Sequence, residues 1–176
     1  MSETMLAMLA LMIVVFFSFS QQRGIVQAER EIASLEMEVM ANAAGSDFMQ
    51  LIATQPFDAA TVGVNPQDVV LSDLTIPSQF GDSLACPAGC TDIDDFNTMQ
   101  PATISFVAGE DENGDPIQFD FLVTVEVKYV DSAGNESTSP TWMKEVTLFL
   151  DQTEAEYEKN ILLHPVKLKR QFSPQW

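Results

Sequence analysis

The chain is poor in cations and in the residues that catalytic sites use. Only 8 Lys and Arg residues oppose 26 Asp and Glu residues among 176, which leaves a net charge of −18. This balance disfavours ligands that are held by neutralising phosphates, so we expect no nucleic-acid partner. The sequence has one histidine, no glycine-rich phosphate loop and no serine in a nucleophile elbow. We therefore expect a protein that is not an enzyme and has no cofactor.

Cysteine is also scarce, since Cys86 and Cys90 are the only two in the chain. His164, the single histidine, is distant in sequence, so we do not expect a zinc site. In an oxidising compartment the pair would close a small loop as a disulfide. The alternative is two reduced thiols in a turn. We favour the disulfide, because the N-terminal segment described next indicates export.

No ionisable residue occurs between Glu3 and Arg23, and no proline occurs before Pro56. The uncharged stretch spans roughly 28 Å as a helix, which is close to the thickness of the hydrocarbon core of a bilayer. It lacks the basic start of an ordinary signal peptide. Because it is apolar on every side, we expect it to be buried in a membrane or in a protein assembly. The residues that we assign to assembly are Glu3, Met5, Leu9, Met12, Val14, Phe16 and Phe19.

Helical periodicity continues beyond the apolar run. Apolar residues recur at spacings of three and four, and acidic or basic residues occupy the other faces. The apolar positions are Ile25, Ala28, Ile32, Leu35 and Val39. The pattern predicts one helix of about fifty residues, with possible bends at Gly24 and Gly45, and a first domain at residues 1–55. The same stripe would also suit a plain coiled-coil dimer.

Residues 56–176 have the composition of a β-rich head. Short β-branched and aromatic runs, separated by Gly, Pro, Asn and Asp, predict strands at 68–74, 103–108, 117–130, 142–150 and 161–172. The fold class is therefore α+β, a long N-terminal helix followed by an antiparallel head. Two arrangements remain open, an immunoglobulin-like sandwich and a single sheet wrapped on the helix.

Two polar segments with a central glycine, 110–116 and 131–136, predict hairpin turns. The first contains Asp111, Asn113 and Asp115, whose spacing can place three oxygen ligands around calcium. It lacks the glycine and the final acidic residue of an EF-hand loop, so we favour a turn without metal. A second loop could add ligands from Asp92, Asp94 and Asp95 if the fold brought it close. Near the C-terminus, the basic segment 167–170 predicts an edge strand or a contact with another subunit.

The N-terminal third resembles the type IV pilin family, which includes pilins, pseudopilins and their archaeal relatives. The resemblance rests on an apolar half-helix with the run Leu11-Met12-Ile13-Val14-Val15, followed by an amphipathic half and a β-rich head. It implies that the helix first lies in the cytoplasmic membrane and then packs against copies of itself in a filament. The family usually carries a glutamate at the fifth position of the mature chain, where it neutralises the terminal amine of a neighbouring subunit. Glu3 is the candidate for that role, and its alternative is a helix N-terminus in headgroup water.

Three functions follow from these features. The first is the subunit of an extracellular surface filament, a homopolymer that is inserted in the membrane before assembly. The second is a minor pilin or a pseudopilin of a secretion system, with the same architecture. The third is a membrane-anchored β-sandwich binding module that does not polymerise.

The predicted disulfide can be checked by intact mass. We expect Cys86 and Cys90 to take up an alkylating reagent only after reduction, because an oxidised pair has no free thiol. Full alkylation of both residues in native, unreduced protein would contradict the prediction.

Overall fold

The computed structural model describes residues 2–65, 67–81, 89–97, 101–152 and 164–174. One α-helix and one sheet make up the regular structure of these residues. The elements are α1 (Ser2–Ala53), β1 (Ala102–Glu110), β2 (Pro116–Tyr129), β3 (Lys144–Gln152) and β4 (Val166–Phe172), with short 3-10 helices at Ala59–Thr61, Leu71–Asp73, Pro77–Gln79 and Asp94–Phe96.

Helix α1 is continuous over 52 residues. The predicted long helix is therefore confirmed, and neither Gly24 nor Gly45 interrupts it. It ends just before Pro56, where the Thr54 and Gln55 amides donate to the carbonyls of Leu51 and Ile52, at 3.1 and 3.0 Å. These bonds tighten the last turn and satisfy carbonyls that a helix end leaves free.

The strands form one antiparallel sheet in the order β1-β2-β3-β4. The α+β class is confirmed, and of the two arrangements left open the single sheet on the helix is the one observed in the described part of the chain. The basic segment 167–170 lies in β4, at an edge of this sheet, as predicted. In the same strand Lys169 pairs with Glu145 of β3 at 2.7 Å.

The predicted strand at 68–74 is wrong. Residues Leu71–Asp73 instead form a 3-10 helix. The Asp73 carboxylate accepts a hydrogen bond from the Val70 amide at 3.1 Å, so the side chain closes a local turn. An acidic side chain that bonds to a nearby backbone amide competes with strand pairing. The β-branched run here is too short to form a strand against this competition. The last strand, predicted at 161–172, is observed from Val166, and residues 161–163 lie outside the described residues.

The inner face of the sheet is formed by alternate residues of β2 and β3. In the sequence, apolar residues occupy every second position along 119–129, which predicts that one face of this strand is buried. The prediction is confirmed, because the inward residues from 121 to 129 are almost fully buried. These are Phe121, Val123, Val125, Val127 and Tyr129 on β2, joined by Val146, Leu148 and Leu150 on β3. The C-terminal part of α1 packs against this face.

Helix α1 contacts the sheet through residues spaced three or four apart, which lie on one side of the helix. They are Met37, Ala41, Ala44, Phe48 and Ile52, all buried. Gly45 lies at the closest approach, since a Cβ atom built there would be 2.6 Å from Leu168 Cδ1 and 2.9 Å from Leu150 Cδ1. The glycine therefore lets the helix backbone rest directly on two leucines.

We expect Gly45→Val to lower the free energy of unfolding by about 2 kcal/mol, because overpacking against the buried Leu150 outweighs the small gain in helix propensity. Gly24→Val is the matched control, since nothing lies within 4 Å of a Cβ atom at that position. Denaturant titration of the full chain in detergent micelles measures both. Equal stability of the two variants would contradict the proposed close approach.

Candidate functional site

The most unusual feature of the head is a lysine in its core. Lys144 is the first residue of β3, and its side chain is fully buried. The alternation of β3 places it on the inner face of the sheet, in the same row as Val146 and Leu148. A lysine is almost never fully buried unless its charge is paired, so its partners define the site.

The ammonium of Lys144 has three oxygen neighbours. Its Nζ atom donates to the Phe57 carbonyl at 2.7 Å and to Asp58 Oδ2 at 3.0 Å, and it forms an ion pair with Asp94 Oδ1 at 2.5 Å. An ammonium has three donors, and here three oxygen atoms lie within 3.0 Å of its nitrogen. The lysine thus joins β3 to two short 3-10 segments that precede the sheet in sequence.

Three aromatic rings enclose the same nitrogen. The ring centroids of Phe57, Tyr129 and Phe80 lie 4.3, 5.1 and 5.5 Å from Lys144 Nζ. Ring faces attract cations and exclude water, and the Tyr129 side chain is itself fully buried. The rings therefore keep the charged groups in a dry, low-dielectric environment.

Two carboxylates touch the lysine, and Asp58 is the one that accepts more hydrogen bonds from the protein. Its oxygens accept from the amides of Ala60 and Thr75, both at 3.0 Å, as well as from Lys144. Burial alone would raise the pKa of Asp58, but the charge of Lys144 and these donors outweigh it and hold the pKa below its usual value. Asp58 is therefore ionised at neutral pH.

Asp92 organises the loop that carries Asp94. Its Oδ2 atom accepts from the Ala59 amide at 2.8 Å, and its Oδ1 atom accepts from the amides of Asp94 and Asp95 at 2.9 and 3.2 Å. Burial, followed by repulsion from Asp95, raises the pKa of Asp92. Its position clamps the helix at Asp94–Phe96 against the helix at Ala59–Thr61.

Asp94 differs from both neighbours. It is only 3% exposed, and its carboxyl oxygens accept no hydrogen bond from the other described residues, so the short ion pair with Lys144 is the one polar contact of the carboxyl group in the described part of the chain. Burial raises the pKa of Asp94 to about 8, against the attraction of Lys144 and with added repulsion from Asp92 and Asp58. The raised pKa favours the protonated form of Asp94 more than an ordinary aspartate would, beside an Asp58 whose lowered pKa favours the ionised form.

Asp58, Asp92 and Asp94 each place a carboxylate oxygen within 4.8 Å of the others, a spacing that can suit a metal ion. Lys144 Nζ, however, already contacts two of the three. The ammonium occupies the position between these carboxylates that a metal cation would need. The residues thus do not fit a metal centre, and the lysine serves as their internal counter-ion.

The segment that we weighed as a calcium loop is a hydrogen-bonded turn. Asp111 Oδ1 accepts from the amides of Asn113 and Asp115, at 2.8 and 2.9 Å. The second hairpin has the same arrangement around Asp131, whose Oδ1 atom accepts from the amides of Ala133 and Asn135 at 2.8 Å. Because Ala133 has no side-chain oxygen, the shared geometry needs no metal. The turn without metal remains our prediction. Asp92 and Asp94 lie instead with Asp58 around Lys144, and we call these four residues the lysine centre.

A second candidate site is the uncovered part of α1. We call residues 4–19 the apolar segment. Every residue in it is exposed, including the predicted assembly residues Met5 (77%), Leu9 (61%), Met12 (76%), Val14 (64%), Phe16 (81%) and Phe19 (62%). Among the described residues, α1 alone is long and apolar enough to cross a membrane, and none of its most apolar stretch is buried against the head.

The amphipathic half of α1 is also uncovered on one side. We call Ile25, Ala28, Ile32, Leu35 and Val39 the back stripe; all are exposed. At about 100° per residue, the back stripe lies roughly opposite the row from Met37 to Ile52 that packs on the sheet. The head therefore covers one face of the helix and leaves the apolar stripe on the other face without a partner in the monomer.

Two predicted sites cannot be placed fully. The side chain of Glu3 lies outside the described residues. Cys90 is disulfide-bonded, whereas Cys86 lies outside the described residues, so the predicted pairing stays a prediction.

No family model, curated protein or solved structure matches the chain. The lysine centre was missed by sequence reasoning, although one signal for it was present. Lys144 interrupts an otherwise apolar inward row, Trp142, Val146, Leu148 and Leu150, in the predicted strand 142–150. A charge at an inward position predicts a buried partner, but the sequence does not identify Asp58 and Asp94 as that partner.

We expect Lys144→Met to lower the free energy of unfolding by about 3–5 kcal/mol, because it leaves the buried Asp58 charge without its cation. Lys169→Met is the matched control, since it removes a half-exposed lysine of β4 and should cost less than about 1 kcal/mol. Chemical unfolding of the full chain in detergent measures both. If the two variants were equally stable, the buried pair would not hold the head together.

Proposed function

We propose that the chain is the structural subunit of a type IV pilin-like extracellular filament, with the N-terminal helices in the core and the β-rich heads outside. The observation that carries the proposal is the pair of apolar surfaces on α1, the apolar segment and the back stripe, that the head leaves uncovered. Fully burying a large apolar side chain stabilises a protein by about 1.5–3 kcal/mol. So many exposed apolar side chains need a partner.

Lipid can cover the apolar segment but is a poor partner for the back stripe. The segment has no charge and belongs to the uncharged stretch 4–22, which has roughly the length of a bilayer core. The back stripe follows Arg23 and alternates with Glu29, Glu31 and Glu36, all exposed. Charged residues at this density are expelled from hydrocarbon. A protein surface is therefore needed beside the amphipathic half of the helix.

Copies of the same helix supply that surface. Apolar residues spaced three and four apart form ridges that pack into the grooves of a neighbouring helix with the same spacing. The head lies on the opposite side of α1, so it does not block such contacts between helices. In this arrangement the apolar segment first anchors the subunit in the cytoplasmic membrane. On assembly, neighbouring helices in the filament core replace the lipid around this segment.

The role is structural, and the lysine centre fits it. Its charged groups are enclosed by aromatic rings in the core of the head, and Lys144 itself is fully buried. A substrate would have no access to them without unfolding part of the head. The chain would thus supply a stable outer layer, with its partners being other copies of itself.

Two substitutions and a matched control test this function. We expect Val14→Asp to abolish filaments, because each subunit would carry a charge into an apolar core at a cost of several kcal/mol. Val39→Glu, in the back stripe, should abolish filaments while the protein still fractionates with membranes. Val62→Glu changes an equally exposed valine of the head and should leave filaments intact. Electron microscopy of sheared surface material, with membrane fractionation of the cells, gives the readout.

The alternatives have distinct outcomes in the same experiment. Wild-type protein that stays in the membrane as a monomer, without filaments, would support the anchored binding module. A dimer that is lost in Val39→Glu, again without filaments, would support a plain coiled coil. Filaments that survive both helix substitutions would mean that the heads supply the assembly energy, and the proposed mechanism would be wrong.

A further inference from the structure

The reactive groups of the lysine centre suggest a covalent modification of the head. We propose that the side chains of Lys144 and Asp94 become joined by an intramolecular amide bond after folding, with the Asp58 carboxylate carrying the protons. The inference goes beyond the filament function and does not depend on it, because it rests only on groups inside the head.

The amine and the carboxyl group are held in contact within the core. Lys144 Nζ lies 2.5 Å from Asp94 Oδ1, and both side chains are almost fully buried. The carboxyl oxygens of Asp94 accept no hydrogen bond from any other described group, so among these residues only Lys144 holds the carboxyl group. Reacting groups that are fixed at van der Waals distance react as if at very high concentration, since their translational entropy has already been lost.

The pKa values of Asp94 and Asp58 are shifted in opposite directions, as the reaction requires. A protonated carboxyl is the better electrophile, because its hydroxyl can leave as water, whereas a carboxylate repels a nucleophile. The raised pKa of Asp94, about 8, is consistent with the protonated form at neutral pH. Asp58 has a lowered pKa and lies 3.0 Å from the same nitrogen. One acid is thus poised as the electrophile and the other as the base.

The reaction balances without any oxidant, reductant or added reagent. The Lys144 ammonium gives one proton to Asp58, and the freed lone pair of Nζ forms a bond to the carboxyl carbon of protonated Asp94. A second proton moves from nitrogen to the departing hydroxyl, directly or through Asp58, and the C–O bond breaks to release water. The products are a neutral amide, one water molecule and a protonated Asp58. The total charge is unchanged, because the ammonium and the Asp58 carboxylate have neutralised each other.

The surroundings favour the amide over the ion pair. The rings of Phe57, Phe80 and Tyr129 exclude water, which opposes hydrolysis of the product. The hydroxyl of Tyr129 lies 3.3 Å from Asp58 Oδ2. Burial, as the largest cause, raises the pKa of Tyr129, so it stays protonated, and its hydroxyl also donates to the Thr75 carbonyl at 2.9 Å, which fixes it beside the base. Replacing buried charges by a neutral amide also removes their desolvation cost.

The bond would tie the helix at Asp94–Phe96 to the start of β3. It would close the chain between residues 94 and 144, which contains β1 and β2, into a covalent loop. A cross-link of this kind restricts the unfolded state and keeps the two segments together under tension. The head would gain a covalent tie that reducing agents cannot break.

Mass spectrometry of the full-length protein, reduced, alkylated and denatured, tests the proposal. We expect the measured mass of the chain to be lower, by one water molecule, than the mass calculated from its sequence. Trypsin should fail to cleave after Lys144, since its amine is no longer free. Digestion should give a branched peptide in which fragmentation places the link between Lys144 and Asp94. Full recovery of linear peptides that end at Lys144, from protein shown to be folded by circular dichroism, would overturn the proposal.

Substitutions test which side chains form the amide bond and which one carries the protons. Lys144→Arg and Asp94→Ala should each restore the full mass, whereas Lys169→Arg, on the neighbouring edge strand, should still lose one water. A water loss that persists in Lys144→Arg would overturn the assignment to Lys144. Asp58→Asn should remain largely uncross-linked, and undiminished cross-linking there would overturn the role of Asp58. The wild-type digest decides the existence of the bond even if a variant fails to fold, because it requires no substitution.

Discussion

The irregular part of the head depends on the contacts between the Lys144 ammonium and two buried carboxylates. Residues 57–81 and 89–97 form no strand among the described residues, yet Asp58 and Asp94 from these two stretches converge on one nitrogen. Asp92 joins the same stretches through backbone amides. Since a buried charge is tolerated only with partners around it, the lysine of β3 dictates where both loops must lie. A backbone hydrogen bond from the Gly81 amide to the Asp94 carbonyl, at 3.0 Å, joins the same stretches, so electrostatics and backbone bonding order these loops together.

Helix α1 belongs to two different environments. Its C-terminal half is a core element of the head, held against the sheet where Gly45 permits close contact with Leu150 and Leu168. Its N-terminal half and the back stripe contribute nothing to that core. A monomer in water would expose all of this apolar surface, although the head has its own buried core. The assembly that we propose and the stability of the head would therefore rely on separate faces of one helix.

Much of the architecture follows from simple patterns. The absence of proline before Pro56 and the spacing of the apolar residues predicted α1, and alternation predicted the inward face of β2. Prediction failed at 68–74, where the carboxylate of Asp73 closes a local turn. It also left the single sheet and the sandwich unresolved. Alternation shows that one face of a strand is buried, but it does not show whether a helix or a second sheet covers that face.

The two candidate sites, the apolar segment and the lysine centre, also differ in how far the sequence reveals them. The apolar segment could be recognised in the sequence because its chemistry is contiguous, and hydrophobic burial depends on composition over a short stretch. The lysine centre could not, because Asp58, Asp94 and Lys144 are far apart in the chain and are ordinary residues where they stand. Only the tertiary structure brings them within hydrogen-bonding distance, enclosed by aromatic rings. The sequence by itself determined the long helix and its exposed apolar surface, whereas the ionic core of the head was decided by long-range packing, since electrostatic pairing depends on distance in space.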